Sequence, residues 1–332
     1  MKRERNMKSW TGRFLWLLVG FAALAVSAAS AQTWPSRPVR IVVPFTPGGG
    51  VDLLARAYAG PLSGALGQPV VVENRPGNAG IVAAEHVSRA APDGYTLLAC
   101  ANDVLVFNRM FYKKLNYDAD RDLTPVMWMG HSPIALFIHA SMPARTLAEF
   151  IAHARANPGK INYGSAGVGH AFHVPMEMLQ YRTQTSMVHI PYKGQSLVVQ
   201  DIMAGRLDAM FYVASAQLVS QVKEGKLRAL ATVNAQRLNA LPDTPTFDEA
   251  GMTDFNAAGI IALVAPAGTP KDVIERVNRE MNKVTGSTEV KNVFTRLSIE
   301  PVGGGPEVLA EKIRRDVAIW TPLARRMNVT LD

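Results

Sequence analysis

The chain has 332 residues, of which 35 are Lys or Arg and 27 are Asp or Glu, giving a formal net charge of +8. That length exceeds what one hydrophobic core usually covers, so two domains or lobes are expected. The single cysteine, Cys100, excludes an internal disulfide and a cysteine-based zinc cluster, and no basic block interleaved with aromatics marks a nucleic-acid surface.

At the start, Lys2, Arg3, Arg5, Lys8 and Arg13 accompany an apolar run from Phe14 to Val26, and Ala29-Ser30-Ala31 supplies a small-x-small cleavage pattern. Residues 1–31 therefore read as an export signal, with Gln32 beginning the mature chain. The apolar run is short for a membrane span. Residues 1–31 carry five basic residues and one acid, so the remainder has a net charge of +4. A mild positive charge suits an anionic ligand without demanding a nucleic acid. No later segment reaches transmembrane length, so the processed chain is expected to be soluble.

The first strand, Arg40 to Phe45, runs into Thr46-Pro47-Gly48-Gly49-Gly50-Val51-Asp52 and then a helical pattern from Leu53 to Leu66. A glycine turn delivering a helix N-terminus can hold an anion through backbone N–H groups, with the helix dipole adding favourable charge. The Lys-Ser/Thr pair that a P-loop uses for outer phosphates and magnesium is missing, which argues against nucleotide chemistry. Asp52 cannot hold an anion directly; it is expected to cap the turn by accepting N–H bonds, or to order water.

Pro69 to Glu73 reads as a strand, Asn74 to Asn78 as a turn and Ile81 to Ala90 as a helix. Pro92-Asp93-Gly94 precedes strand Tyr95 to Cys100, and Ala101-Asn102-Asp103 follows it as a loop. Thr146 and Glu149 form a capping box for helix Leu147 to Ala156. Strand Ile161 to Tyr163 then enters a second glycine turn, Gly164-Ser165-Ala166-Gly167-Val168-Gly169-His170. Its helix should begin near Phe172, because Pro175 is tolerated only in the first turn. Strand Val188 to Tyr192, turn Lys193-Gly194, helix Ser196 to Ala204, strand Leu207 to Tyr212, helix Ala216 to Lys223 and strand Leu227 to Thr232 follow. A near-terminal helix, Pro306 to Arg315, precedes Trp320 and looks like packing for the first lobe. Short strands alternating with amphipathic helices indicate an α/β architecture.

Two strand–glycine turn–helix units lie about 115 residues apart. They are read as one cradle in each of two lobes facing a shared cleft, a common place for small ligands. In the second cradle, Ser165 and the N–H groups of Ala166 to His170 can hold another carboxylate. Two opposed sockets suit a ligand with two acidic ends, or one acid and one polar end. Asp103, if it faces the pocket, should repel a diacid and favour an amine-bearing ligand. Tyr192 is a candidate to touch ligand or close the lid, and Lys193 a candidate second positive anchor.

Two sharper readings compete with this one. His170, His173 and Glu177 have metal-ligand spacing on one helix face, but they do not match a zincin motif, and no metal is expected. Ser165 with a histidine raises nucleophilic hydrolysis, yet no G-x-S-x-G elbow surrounds it, so no enzyme is expected. Met127, Met129, Met176 and Met178 read as core filler.

Several stretches in order resemble one family: Pro44 to Asp52, Glu73 to Gly80, Pro92 to Leu97, Asn162 to Gly167, Val188 to Gly194, Gly225 to Leu230 and Leu241 to Thr246. Together they are similar to the Bug, or tripartite tricarboxylate transporter substrate-binding, family of bacterial periplasmic proteins. The resemblance spans essentially the whole mature chain. It implies a two-lobed periplasmic-binding-protein fold, type II-like, with an interlobe ligand cleft. Lobe 1 would comprise residues 32–133 plus 254–332, and lobe 2 residues 134–253. It further implies a small carboxylate ligand (a di- or tricarboxylate, an acidic amino acid or an aromatic acid), delivery to membrane permease components, and no cofactor. A sensor kinase is the alternative partner, and the chain is expected to be a monomer.

Residue by residue, the family's ligand loops map onto Phe45, Thr46, Pro47, Gly48, Gly49, Gly50 and Asp52, onto Ser165 to His173, including Ala166, Gly167, Gly169 and His170, and onto Tyr192 to Gly194. The sequence departs from the family pattern at Asn102 and Asp103, where relatives more often carry small hydroxyl residues, and at His170, which replaces a usual Ser or Thr.

Overall fold

The computed structural model describes residues 34–327 apart from 133, 235, 254, 256–258 and 298. The export signal assigned to residues 1–31 lies outside the described residues. Two sheets organise the rest. In the first, β1 (Val39–Val43) lies between parallel neighbours β2 (Val70–Asn74) and β3 (Thr96–Ala101). Val39, Ile41, Val42 and Val43 are all buried, as expected of a central parallel strand covered on both faces. The chain adds β4 (Leu123–Ser132) to this sheet and later returns to it with β10 (Gly259–Pro266) and β11 (Glu300–Pro301), giving the order β11-β4-β10-β3-β1-β2.

The second sheet has the order β7-β6-β8-β5-β9, from β5 (Ile134–His139), β6 (Asn162–Ser165), β7 (Val188–Pro191), β8 (Ala209–Val213) and β9 (Leu227–Thr232). The chain thus passes between sheets twice, from β4 into β5 and from β9 to β10. Along β5, Ile134, Leu136 and Ile138 join a core cluster shared with the first sheet, while Ala135 and Phe137 face a second cluster with Val198, Ile202 and Leu207. That is the period-two alternation of a strand buried on both faces.

The helices between β1 and β4 are α1 (Gly50–Leu66), α2 (Ile81–Ser88), α3 (Asn108–Phe111) and α4 (Ala119–Asp122). Helix α1 turns Leu54, Ala55, Tyr58 and Leu62 inward and stops at Gly67, whose left-handed φ of 74° lets its N–H reach the Ser63 carbonyl. In the second sheet's half lie α5 (Leu147–Ala156), α6 (Val174–Thr183), α7 (Gln195–Met203) and α8 (Ala216–Lys223). Thr146 Oγ1 accepts the Glu149 N–H at the start of α5, but Glu149 returns its carboxylate to the Arg145 N–H rather than to Thr146. Helix α6 begins at Val174, close to the expected Phe172, with Pro175 in its first turn.

Two expectations are corrected. The segment after β3 is not a loop: Asp103–Phe107 forms a π-helical turn that runs into α3. Val104, Leu105, Val106 and Phe107 are all buried, so the run carries no amphipathic period from which a helix could be read. The terminal helix does not stop at Arg315. After α9 (Lys271–Thr285) and α10 (Thr288–Leu297), α11 extends over Pro306–Met327. Leu309, Ile313, Trp320 and Ala324 continue one buried stripe along it.

Trp320 meets Phe107 edge to face at 5.2 Å between ring centroids, anchoring the terminal helix on the segment that carries Asp103. Replacing Trp320 by Ala should cost about 3–5 kcal/mol, the usual range for emptying a buried aromatic site. Urea unfolding should show this as a lower midpoint at unchanged slope.

Candidate functional site

Each sheet sends a turn from the carboxyl end of a strand into a helix, and the two turns approach each other. The first follows β1. Thr46 to Gly50 are exposed, and Gly48 holds φ at +87° with nothing within 4 Å of where a Cβ would stand. Backbone conformation, not lack of room, therefore requires glycine there. The N-cap of α1, Gly49, supplies no side-chain acceptor, so the first N–H groups of the helix stay open to a ligand.

Asp52 is buried beneath this turn and shapes it. Its Oδ2 accepts the Gly48 N–H at 2.8 Å, and its Oδ1 accepts from Asn74 Nδ2 at 2.8 Å and from Arg56 Nε at 3.0 Å. Asn74 Nδ2 also donates to the Phe45 carbonyl at 3.0 Å, and Arg56 Nη2 donates to Asn74 Oδ1 at 2.8 Å. Burial opposes ionisation of Asp52, but the bonds from Arg56, Gly48 and Asn74 outweigh it and hold the carboxyl below its ordinary range. The charge of Asp52 is thus matched by Arg56, and the open N–H groups face no uncompensated anion. Sequence reading singled out neither Arg56 nor Asn74. The Asp52–Arg56 spacing of four on a helix was the available signal.

The second turn follows β6. A Cβ on Gly164 would stand 2.5 Å from Leu207 Cδ1 and 2.8 Å from Val198 Cγ1, so close packing of α7 and the β8 approach behind the turn demands glycine there. Several of the turn's N–H groups are consumed internally. Gly169 donates to His173 Nδ1 at 3.2 Å, His170 to the Gly167 carbonyl at 3.3 Å and Phe172 to His170 Nδ1 at 3.2 Å. Those of Ala166, Gly167 and Val168 bond no described residue.

Ser165 is fully buried. Its Oγ donates to the Gly167 carbonyl at 2.9 Å and lies 2.7 Å from His189 Nε2. Because a carbonyl can only accept, the hydroxyl proton goes to Gly167, and His189 Nε2–H then donates to Ser165. That direction is opposite to what a general base for a serine nucleophile requires. His189 also packs against Tyr163 at 4.9 Å and His173 at 4.1 Å between centroids. Tyr163 donates to Glu177 Oε1, which His173 Nε2 approaches at 3.5 Å. Among the described residues no group of three His, Cys, Asp or Glu is arranged to hold a metal ion.

The two turns meet at His170. The Phe45 ring stands edge-on to the His170 ring at 6.0 Å. Asp103, from the segment after β3, accepts the Ala171 N–H at 2.8 Å, and its other oxygen lies 3.8 Å from His170 Nε2. The remaining candidates stand differently. The Asn102 side-chain oxygen accepts the Ile260 N–H of β10, inside the frame. Tyr192 is half-buried, its N–H on the Ser165 carbonyl at 2.9 Å and its hydroxyl on Asp201 at 2.6 Å. Lys193 is exposed and forms no ion pair among the described residues. A cavity of about 620 Å³ lies along the C-terminal half of α6, lined by Glu177, Gln180 and Arg182.

Two α/β lobes joined by two crossings, with a helix-bearing turn on each side of the junction, define a two-lobed periplasmic-type binding protein. Residues 54–329 match the family described as the tripartite tricarboxylate transporter family receptor. The chain is 37% identical over 312 residues to the UPF0065 protein in the tcbD-tcbE intergenic region of Pseudomonas sp. (strain P51), covering 92% of each chain. It is 33% identical to protein BugT of Bordetella pertussis, over 96% of this chain and 98% of that one. Among solved structures, an R. palustris protein with adipate superposes with a TM-score of 0.82 at 31% identity, covering 90% of this chain and 99% of that one. MatC from Rhodopseudomonas palustris with bound malate superposes at 0.81 with 28% identity, covering 88% and 100%. The chain belongs to the tripartite tricarboxylate transporter receptor, or Bug, family, a family of substrate-binding receptors.

Burial lowers the pKa of His173 to about 3, with the neighbouring His189 and His170 adding to the shift, and burial lowers that of His189 to about 4. Both are neutral in the folded protein but protonate near 6.5 when unfolded, so below that pH the unfolded chain binds more protons. Stability should therefore be full above pH 6.5 and fall as pH drops toward 4, by up to about 1.4 kcal/mol per pH unit for each histidine. Urea unfolding at pH 7 and pH 5 should show the fall, and His189→Gln should make it shallower.

Proposed function

We propose that the chain is an exported periplasmic receptor that captures a small carboxylate between its lobes and presents the closed form to the permease of a tripartite tricarboxylate-type transporter. The observation that carries this reading is the pair of facing turns with open backbone donors: the uncapped N-terminus of α1 and the N–H groups of Ala166 to Val168. Such donors recognise carboxylates through charge-assisted hydrogen bonds. The relatives with adipate and malate support the same ligand chemistry.

In this reading Phe45 to Gly50 and Ala166 to Val168 receive the ligand, with the buried Ser165 behind them holding the Gly167 carbonyl. Asp52 and Gly169 shape the two turns, while Asp103, His170, Tyr192 and Lys193 line or close the cleft. Lobe 1 is residues 32–133 with 254–332 and lobe 2 is residues 134–253, with export completed by cleavage near Ala31. The receptor acts as a monomer without a cofactor. Ligand contacts to both lobes favour the closed state, which the permease reads.

A thermal-shift panel of mono-, di- and tricarboxylates, acidic amino acids and aromatic acids, each beside its neutral amide, tests the reading. A ligand at one hundred times its Kd adds about 2.7 kcal/mol to stability. The expected result is a raised melting temperature with one class of acid and none with its amide. A response equal for acid and amide would refute carboxylate capture. Asp52→Ala should weaken the responding ligand about tenfold or more, because the Gly48 turn loses its internal acceptor.

A further inference from the structure

The bond between Asp103 and Ala171 joins the two lobes through a carboxylate that belongs to the protein. Asp103 is wholly buried in the π-helical turn after β3, and its Oδ1 receives the Ala171 N–H at 2.8 Å. Ala171 stands at the entry to α6, in the run of N–H groups that leads from the second turn into the helix. With Gly169, His170 and Phe172 also committed, the lobe 2 turn offers only Ala166 to Val168.

Two further groups bear on what can approach. Asp103 Oδ2 and Gln195 Oε1 are both buried acceptors with no hydrogen-bond partner among the described residues. They flank His170. Gln195 Nε2 lies 3.2 Å from its Nδ1, which also accepts the Phe172 N–H at 3.2 Å, while Asp103 Oδ2 lies 3.8 Å from its Nε2. Unfilled buried acceptors call for a donor, because leaving them unpaired costs free energy. Burial pushes the Asp103 carboxyl above its ordinary range, against the opposing pull of His170 and the Ala171 N–H, and a second carboxylate brought beside it would deepen that desolvation penalty.

We infer that Asp103 supplies from inside the protein the carboxylate that the α6 entry receives, so that the cleft selects ligands with one carboxylate and an uncharged or donor-bearing far end over matched diacids. This rests on the carboxylate-capture reading above and narrows it. Asp103 is a specificity-determining residue, and its bond to Ala171 also ties the two lobes together.

The test is calorimetric titration of the full mature chain with hexanoate, 6-aminohexanoate and adipate, chains of equal length that differ only at the far end. Wild type should bind hexanoate or 6-aminohexanoate about tenfold or more tighter than adipate. Asp103→Ser frees the Ala171 N–H and removes the carboxyl group, and should move the adipate-to-hexanoate affinity ratio toward adipate by about tenfold. Asp103→Asn keeps an oxygen for Ala171 but removes the second carboxyl oxygen, and should fall between. Adipate binding tightest to wild type, or a ratio unchanged in both variants, overturns the inference. If Asp103→Ser does not fold, Asp103→Asn decides on the same criterion. If none of the three acids binds any form, carboxylate capture itself has failed for this class. Small-angle scattering then decides: a larger ligand-free radius of gyration for the variant than for wild type supports the interlobe role of Asp103, and an equal one overturns it.

Discussion

A helix leaves its first backbone N–H groups without intrahelical acceptors, and wherever such an end is not exposed to water something must receive them. In this protein two helices begin at the junction of two lobes, and much of the surrounding structure manages those donors. Around α1 the solution is to keep them open: Gly49 has no side chain to cap with, and Asp52 turns away to Gly48, where Arg56 balances its charge and Asn74 donates a hydrogen bond to it. At α6 the first N–H groups go to the His170 and His173 carbonyls, and those of the turn before it are mostly closed from within: Gly169 by His173, Phe172 by His170 and Ala171 by Asp103 from the other lobe. The two cradles, alike as sequence, are therefore unlike as chemistry.

The frame behind the turns explains how they hold this asymmetry. The first turn hangs on β1, buried on both faces, and is braced from β2 through Asn74. The second rests on Gly164, where only a glycine admits Leu207 and Val198, and on a stack of Tyr163, His189 and His173 whose histidines are neutral. Neutrality matters, because His173 Nδ1 must accept the Gly169 N–H and could not do so if protonated. The turn's geometry and its proton content are thus one property.

Much of the fold could be read from sequence because its signals are local. The glycine turns, the Thr146 cap and helix Ala216–Lys223 each announce themselves within a few residues. What escaped reading depends on partners distant in the chain. Val104 to Phe107 form a helical turn that is buried on every side, which erases the periodicity a helix would show. Helix α11 runs on to Met327 because Trp320 finds Phe107 more than two hundred residues earlier. At the site, Asp52 was legible as a turn-former from its place in the glycine motif. Arg56 and Asn74 were not singled out, since their roles exist only once β2 lies beside β1.

If the proposed backbone donors recognise the ligand, they constrain how such a receptor acquires a ligand preference. The donors themselves are fixed by strand ends and helix starts, so no single side-chain replacement removes them without disturbing the frame. What can vary is which donors remain free and which acceptors stand beside them. Asp103 and His170 occupy those positions: one takes an N–H from the opposite lobe, and the other takes one from its own turn while presenting its remaining nitrogen toward Asp103. Both are side chains attached to an otherwise intact scaffold. In the proposed reading, ligand class can therefore change at these two residues while the sheets, the glycine turns and the two crossings stay as they are.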